Sequence, residues 1–191
     1  MGTFSIIVLG LAIAVIAYAI AIYNRLVNLK HGVSKAWSNI DVLLKQRHDE
    51  LPKLISTCKE YMRHESETLQ NVIEARSQVS NAADAGDIGA LGAAEGMLRA
   101  GLGRLFALAE NYPDLKANES FQHLQNRITG LENTIADRRE YYNETVNVNN
   151  VGIEEFPDVI VARFFNFKPA TLLEFSNEEK ADVNVSALFQ S

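Results

Sequence analysis

The sequence predicts an all-α protein: an N-terminal transmembrane helix followed by an elongated antiparallel bundle of three long helices plus a short C-terminal helix. Three observations support this fold class. The chain opens with a long uncharged apolar segment, later apolar residues recur at helical spacing, and only four prolines interrupt the 191 residues. We expect an anchor over residues 1–23, a helical bundle over residues 24–175 and a flexible acidic tail over residues 176–191.

The apolar segment predicts a membrane anchor. No charged residue occurs from Thr3 to Tyr23, and crossing the hydrocarbon core of a bilayer takes about 20 apolar residues. A cleaved signal peptide is the alternative, because Ala17 and Ala19 form a small-x-small cleavage pattern. Signal peptides begin with a basic region, and no Lys or Arg precedes this segment. A retained anchor is therefore the favoured interpretation.

The charges after the anchor predict its orientation. Arg25, Lys30, Lys35 and Lys45 all follow the apolar segment, and cytoplasmic flanks of transmembrane helices are enriched in Lys and Arg. The N-terminus should therefore lie outside and the body of the protein in the cytoplasm. The alternative topology is an exported soluble domain. A single cysteine, Cys58, excludes an intrachain disulfide.

One face of the anchor carries only small residues. Gly10, Ala14, Ala17 and Ala21 are spaced by four, three and four positions, which places them on one side of a helix. Small residues at this spacing let transmembrane helices approach closely. The pattern predicts self-association through the anchor, although alanine and glycine are also common in anchors that do not associate.

The first helix of the body should continue directly from the anchor and end near Ala82. Apolar residues recur at helical spacing from Val33 onwards, and between the anchor and Val33 only a glycine weakens the helix. Pro52 lies inside this pattern, and Leu51 keeps the helical phase beside it. We therefore predict that Pro52 bends the helix without ending it, and that His48 is the polar member of the buried stripe.

Two further long helices follow in the sequence pattern. The second is predicted over residues 88–111, where several glycines indicate close contact with another helix or a local irregularity. Pro113 should end it. The third is predicted from residues 118–120 to Phe156, with apolar residues that recur every seven positions. Pro157 should end this helix, and a short apolar segment should close the bundle.

The chain offers little that indicates catalysis or cofactor binding. His64-Glu65 begins like a zinc protease motif, but Thr68 stands where the second histidine would have to be. Cys58 lies on the apolar stripe, where a free cysteine usually packs as a small apolar residue. The net charge of −6 argues against nucleic-acid binding. We expect no catalytic, metal or cofactor site, and therefore an interaction protein and not an enzyme.

Several short motifs along the body form a specific combination. They comprise Trp37, Ile40 and Asp41, then Leu51 and Pro52, then Tyr112 and Pro113, then Tyr142 and Asn143, and finally Phe156 and Pro157. This combination resembles the signature of the LemA family of bacterial membrane proteins. Two positions depart from the family pattern: Asn149-Asn150 replaces a second Tyr-Asn pair, and Asn166 replaces a glycine.

The resemblance implies a location in the bacterial inner membrane, with the N-terminus outside and a helical domain in the cytoplasm. It implies no defined activity and no cofactor. Relatives in the family are implicated in magnetosome membrane biogenesis, and members tend to be associated with membrane metalloproteases and envelope stress.

Taken together, the sequence favours a non-enzymatic membrane scaffold that self-associates and organises, shapes or maintains the membrane and its protein partners. The expected partners are membrane lipid, further copies of the chain, and a membrane metalloprotease or another envelope protein. An adaptor that regulates a membrane protease or an envelope-stress sensor is the alternative function.

Overall fold

The computed structural model describes residues 2–174, and this part of the chain forms helices and no strand. The all-α prediction is confirmed. The acidic tail predicted from residue 176 lies outside the described residues. The helices are α1 Thr3–Tyr61, α2 Ser66–Ala85, α3 Ile88–Ala109, α4 Pro113–Lys116, α5 Glu119–Glu154 and α6 Asp158–Phe164.

Helix α1 contains both the apolar segment and the first helix of the body without interruption. The predicted continuity between them is therefore confirmed. Pro52 lies inside α1 and is exposed, whereas Leu51 and Leu54 beside it are fully buried. The apolar face thus keeps its phase past the proline, although proline cannot donate a backbone hydrogen bond to the preceding turn. The bend at Pro52 stays a prediction.

The predicted end of the first helix near Ala82 is wrong, because the chain reverses direction at residues 62–65 and begins α2. Arg76 of α2 hydrogen-bonds His48 of α1; His48 lies 13 residues before the end of α1, and Arg76 lies 10 residues after the start of α2. Helix α2 therefore runs antiparallel to the distal part of α1. The apolar residues keep a helical spacing on both sides of this turn, because both helices bury an apolar face in the same core.

Helices α2 and α3 form a tightly packed hairpin. Gly86 ends α2 with a φ of 66°, a left-handed conformation that glycine adopts without strain. Asp87 then caps α3 by accepting a hydrogen bond from the backbone N–H of Ala90 at 2.9 Å. A Cβ added at Gly101 would lie 3.3 Å from Val72 of α2. Close packing therefore explains Gly101 but not Gly103, which faces open space.

The chain divides into two compact units, each of which we describe separately. The anchor unit comprises the described residues up to Asn39 together with Arg138–Leu172. The central unit comprises Ile40–Asp137 together with residues 173–174.

In the anchor unit, the second half of α5 runs antiparallel to α1. The rings of Trp37 and Tyr142 lie 5.8 Å apart, and further along Gly152 of α5 comes close to Leu29 of α1. From the first contact to the second, the residue number decreases on α1 and increases on α5. Helix α5 therefore ends beside the part of α1 where the apolar segment ends, and α6 follows there.

In the central unit, parts of α1, α2, α3 and α5 surround an apolar core. Its fully buried members come from all four helices and include Leu54, Cys58, Val72, Leu91, Leu105 and Ile128. Short helix α4 adds Leu115, which is also fully buried. At this end, Tyr112 donates a hydrogen bond to Glu65 at 3.1 Å and Asn118 donates one to Tyr61 at 3.1 Å.

Candidate functional site

The apolar segment of α1 is exposed in the single chain. Every residue from 3 to 18 is exposed, and the described residues contain one helix that is long and apolar enough to cross a membrane, namely α1. A helix that is apolar on all sides needs an apolar environment for all its faces. The segment is therefore a candidate membrane span, as its length and composition predict.

The small-residue face of the candidate span is open. Gly10, Ala14, Ala17 and Ala21 all lie on α1 and are exposed, and a Cβ added at Gly10 would meet no atom within 4 Å. Nothing within the described chain covers this face. Association of two anchors through it stays a prediction.

A small apolar core forms directly after the candidate span. Ile22 and Leu26 of α1 are buried against Ile153 of α5 and Ala162 of α6. Gly152 allows this approach, because a Cβ at its position would lie only 2.7 Å from Cδ1 of Leu29. The core holds the end of α5 and all of α6 against α1 at the point where the apolar segment ends.

An ion pair fixes α6 beside this core. Arg25 donates a hydrogen bond to Asp158, the first residue of α6, whose carboxylate is almost fully buried. The same guanidinium lies 3.9 Å from the carboxylate of Glu155. A buried carboxylate is costly unless it is paired and hydrogen-bonded. Arg25, the first charge after the candidate span, therefore also determines where α6 packs.

The segment after α6 returns along α5 and is held by polar contacts. Asn150 both donates to the carbonyl of Ala170 at 2.9 Å and accepts from its N–H at 2.8 Å. Tyr142 donates from its hydroxyl to the carbonyl of Thr171 at 2.9 Å. Burial raises the pKa of Tyr142, so its hydroxyl keeps its proton. These contacts hold the segment after α6 alongside α5.

The two departures from the family pattern lie in this same region. Asn149, where the pattern has tyrosine, is buried next to Asn150. Asn166, where the pattern has glycine, has a φ of 57°. Asparagine is among the few residues that tolerate this left-handed conformation. The substitution therefore keeps the backbone turn that glycine would provide.

The signature residues occupy different environments, and the structure does not bring them into one site. Ile40, Leu51 and Tyr142 are buried, whereas Phe156 is 81% exposed. Asp41 forms an exposed ion pair with a lysine one turn further along α1 at 2.7 Å. The other signature residues lie on α1, α4 and α5 and directly before α4 and α6: Trp37, Pro52, Tyr112, Pro113, Asn143 and Pro157. Their functional role stays a prediction.

The central unit contains a buried charge network that the sequence reasoning missed. Arg47 of α1 is 1% exposed and donates hydrogen bonds to Glu95 of α3 and Glu132 of α5. Arg99 adds a second guanidinium 3.7 Å from the Glu132 carboxylate. Burial acts to lower the pKa of Arg47, but the charges and hydrogen bonds of the two glutamates outweigh it and raise the pKa. The network therefore links α1, α3 and α5.

A signal for this network exists in the sequence. Arg47 lies between Leu44 and Leu51 at spacings of three and four, and Glu95 lies between Leu91 and Leu98 at the same type of spacing. Charged residues of opposite sign in apolar helical phase indicate a buried pair. The prediction instead placed His48 in the buried stripe, but Arg47 occupies that position.

His48 lies half-buried next to the network. Its Nε2 is 2.6 Å from a guanidinium nitrogen of Arg76, and a second guanidinium nitrogen donates to the His48 carbonyl at 3.0 Å. Because arginine can only donate, Nε2 accepts and the imidazole is neutral. Burial, followed by the positive charge of Arg76, lowers the pKa of His48. Its Nδ1 has no hydrogen-bond partner among the described residues.

The other candidate reactive groups are not arranged for catalysis. His64 and Glu65 lie in the turn between α1 and α2, and Glu65 accepts the hydroxyl of Tyr112. Cys58 is fully buried, and burial raises its pKa to about 12, so the thiol stays protonated at neutral pH. Within residues 2–174 no three His, Cys, Asp or Glu side chains cluster in a way that could hold a metal ion.

Comparison with known proteins identifies relatives of the chain. The model of the LemA family matches residues 36–187. Magnetosome protein MamQ 1 of Paramagnetospirillum magneticum is 24% identical over 201 residues, which cover 93% of this chain and 74% of that protein. Magnetosome protein MamQ of Magnetospirillum gryphiswaldense is 24% identical over 83% of this chain and 66% of its own length. Protein LemA of Metamycoplasma hominis is 27% identical, covering 86% and 74%.

Proposed function

This chain belongs to the LemA family, and from that premise we propose that it is a single-pass, non-enzymatic scaffold of the bacterial inner membrane. It self-associates and organises or maintains the membrane and its protein partners. The family and the candidate span fit a membrane-associated protein. The scaffold role, the self-association and the N-terminus-outside orientation are our proposals.

One observation carries the proposal: α1 runs from Thr3 to Tyr61 as a single helix. A candidate span that continues without a loop into a folded body holds that body at a defined position relative to the membrane. An enzyme tethered only for location would need no such continuity. A scaffold does need it, because its partners must be held at a defined distance and orientation.

The open small-residue face of the anchor supports self-association. Ala14 and Ala17 lie at its centre, and close helix approach in lipid depends on small side chains at the interface. Ala12 and Ala19 lie on the opposite side of the same helix. The two alanine pairs therefore allow a test in which the chemical change is identical and only the face differs.

The experiment measures the oligomeric state of the full chain in lipid nanodiscs, by light scattering and by crosslinking in cell membranes. We expect an oligomer that dissociates when Ala14 and Ala17 are both replaced by isoleucine, and that persists when Ala12 and Ala19 are replaced instead. A strictly monomeric wild-type protein would overturn the proposal.

The same crosslinking distinguishes the second candidate function. An adaptor for a membrane metalloprotease or an envelope-stress sensor would be captured mainly with a different protein and little with its own copies. The names of the magnetosome relatives favour an organising role over this alternative, since they associate related chains with an organelle and not with a protease.

A further inference from the structure

Helix α6 and the turn before it present apolar side chains that nothing in the described chain covers. Phe156, Ile160 and Phe164 recur every four residues and are 81%, 60% and 82% exposed. The opposite face carries Asp158 and Ala162, which are buried against α1. Three large apolar side chains this exposed on one short segment are unusual for a surface that faces water.

The position of α6 in the anchor unit explains this exposure. Ala162 packs on Ile22 and Leu26, and Asp158 pairs with Arg25. These partners lie within about one helical turn, roughly 6 Å, of the last residue of the uncharged segment of α1. Because α5 ends here and the chain then returns along α5, α6 forms the turn of the unit that lies nearest the candidate span.

Aromatic contacts connect this turn to the boundary of the candidate span. The ring of Phe165 lies 4.7 Å from that of Tyr23, the last residue of the uncharged segment, and 5.0 Å from that of Phe164. Aromatic residues are enriched where a transmembrane helix leaves the hydrocarbon core. The exposed face of α6 therefore lies at the depth where such residues contact lipid.

We propose that α6 is a second membrane contact: Phe156, Ile160 and Phe164 lie in the lipid–water interface of the bilayer that α1 spans. The inference rests on the proposed membrane anchoring of α1 and adds a site to it. Short amphipathic helices bind in this way, with the apolar face buried about 5–10 Å into the boundary between headgroups and acyl chains. The second contact adds to the anchoring by α1 and further restricts the tilt of the anchor unit.

The charges around α6 suit a lipid surface. A groove of about 620 Å³ is lined in part by the segment that follows α6, and it contains Lys30, Lys168 and His31 but no carboxylate. Cations next to a span attract anionic headgroups. Glu154 and Glu155 are exposed at the end of α5, which keeps this turn at the level of the headgroups and out of the hydrocarbon core.

The test uses tryptophan fluorescence of the full chain in vesicles of phosphatidylcholine and phosphatidylglycerol, with or without brominated acyl chains that quench nearby tryptophan. Trp37, the single native tryptophan, is replaced by phenylalanine. New tryptophans then replace Phe164 on α6, Tyr141 on α5 as an exposed control outside the contact, and Ile13 in the candidate span. Melting curves establish that each variant is folded.

We expect blue-shifted and strongly quenched emission from Phe164→Trp and Ile13→Trp, and unshifted, weakly quenched emission from Tyr141→Trp. Quenching at position 13 without quenching at position 164 overturns the α6 contact and leaves the anchor intact. Absence of quenching at both positions overturns the anchor as well. A blue shift at position 164 without quenching shows that protein, such as a second copy, covers the face, and this also contradicts the proposal.

Discussion

The two units of the molecule differ most in the apolar side chains that they expose, although both bury charged groups. The central unit buries charge, since Arg47 and Glu95 are almost inaccessible inside an apolar core. The anchor unit exposes apolar side chains, from the candidate span to Phe156 and Phe164. This difference is what we expect if a bilayer covers the exposed apolar side chains of the anchor unit.

The largest effect should come from the buried charge of the central unit. Replacing Arg47 with methionine leaves Glu95 buried without this partner and leaves Glu132 with the more distant Arg99, which should lower the free energy of unfolding by about 3–5 kcal/mol. Urea unfolding of the full chain in detergent micelles, followed by circular dichroism, measures the loss. Hydrogen exchange should show a loss of amide protection in the central unit. An equal loss of protection in the anchor unit would show that the network does not act on the central unit alone.

Two further variants separate unpaired charge from lost packing. Adding Glu95→Gln and Glu132→Gln to Arg47→Met should recover most of the stability, because no buried carboxylate then lacks a partner. Lys53→Met removes an exposed ion pair with Glu50 and should change stability little. If the triple variant is no more stable than Arg47→Met, the loss reflects packing and not charge.

A smaller effect is expected in the anchor unit from Asn150. Its side chain both donates to and accepts from the backbone of Ala170, so Asn150→Ala leaves a backbone donor and an acceptor without their partner. We expect a loss of about 1–3 kcal/mol and faster amide exchange at Ala170. Asn147→Ala, at an exposed position of the same helix, is the control and should leave both quantities unchanged.

Substitutions at Asn166 should change the stability of the protein according to how well the new residue tolerates a left-handed backbone conformation. Asn166→Val places a β-branched residue at a φ of 57° and should cost about 1–2 kcal/mol. Asn166→Gly should cost nothing or stabilise slightly, as the family pattern with glycine implies. Thermal unfolding of both variants measures this difference. Equal melting temperatures would show that the turn does not need the left-handed conformation.

The smallest expected effect is the contribution of His48 in the central unit to the pH dependence of stability. The pKa of His48 is lowered in the folded state from 6.5, so below about pH 6.5 the unfolded chain takes up a proton that the folded chain does not. Stability should therefore be constant above this pH and fall as the pH drops through and below it. Asp49 and Asp84 oppose this shift, whereas Arg47 and Arg76 reinforce it.

The measurement is the pH dependence of urea unfolding for the wild type and for His48→Gln. The variant should lose the part of the slope between pH 6.5 and the lower folded pKa that His48 supplies. Replacing Arg76 with glutamine should raise the pKa of His48, and an NMR titration of the imidazole would measure this change. An identical pH profile for the wild type and His48→Gln would show that His48 does not titrate differently in the folded and unfolded protein.

Much of the fold could be predicted from the sequence because helical period and charge are local signals. The apolar segment, the continuity of α1 and the approximate positions of α3 and α5 follow from them. The turn at residues 62–65 could not be predicted, because it contains no proline or glycine and both flanking helices continue the same period. The fold reverses there for reasons of tertiary packing that the local pattern does not contain.

The candidate sites divide in the same way. The small-residue face is visible in the sequence because it depends on spacing within one helix. The Arg47 network joins residues 48 and 85 positions apart, so its partners could not be assigned without the fold. The exposed face of α6 could not be predicted, because its apolar residues are also typical of a buried segment that closes the bundle. Only the structure shows that they are exposed.

We propose that α1 crosses the membrane and leaves the folded body in the cytoplasm. Cysteines introduced at Gly2 and Ser38, on either side of the candidate span and both exposed, test this directly by labelling spheroplasts with a membrane-impermeant maleimide. The native Cys58 is buried and should give no signal in the folded wild type. We expect labelling of Gly2→Cys in intact spheroplasts and of Ser38→Cys only after permeabilisation; equal labelling of both in intact spheroplasts would contradict the proposed topology.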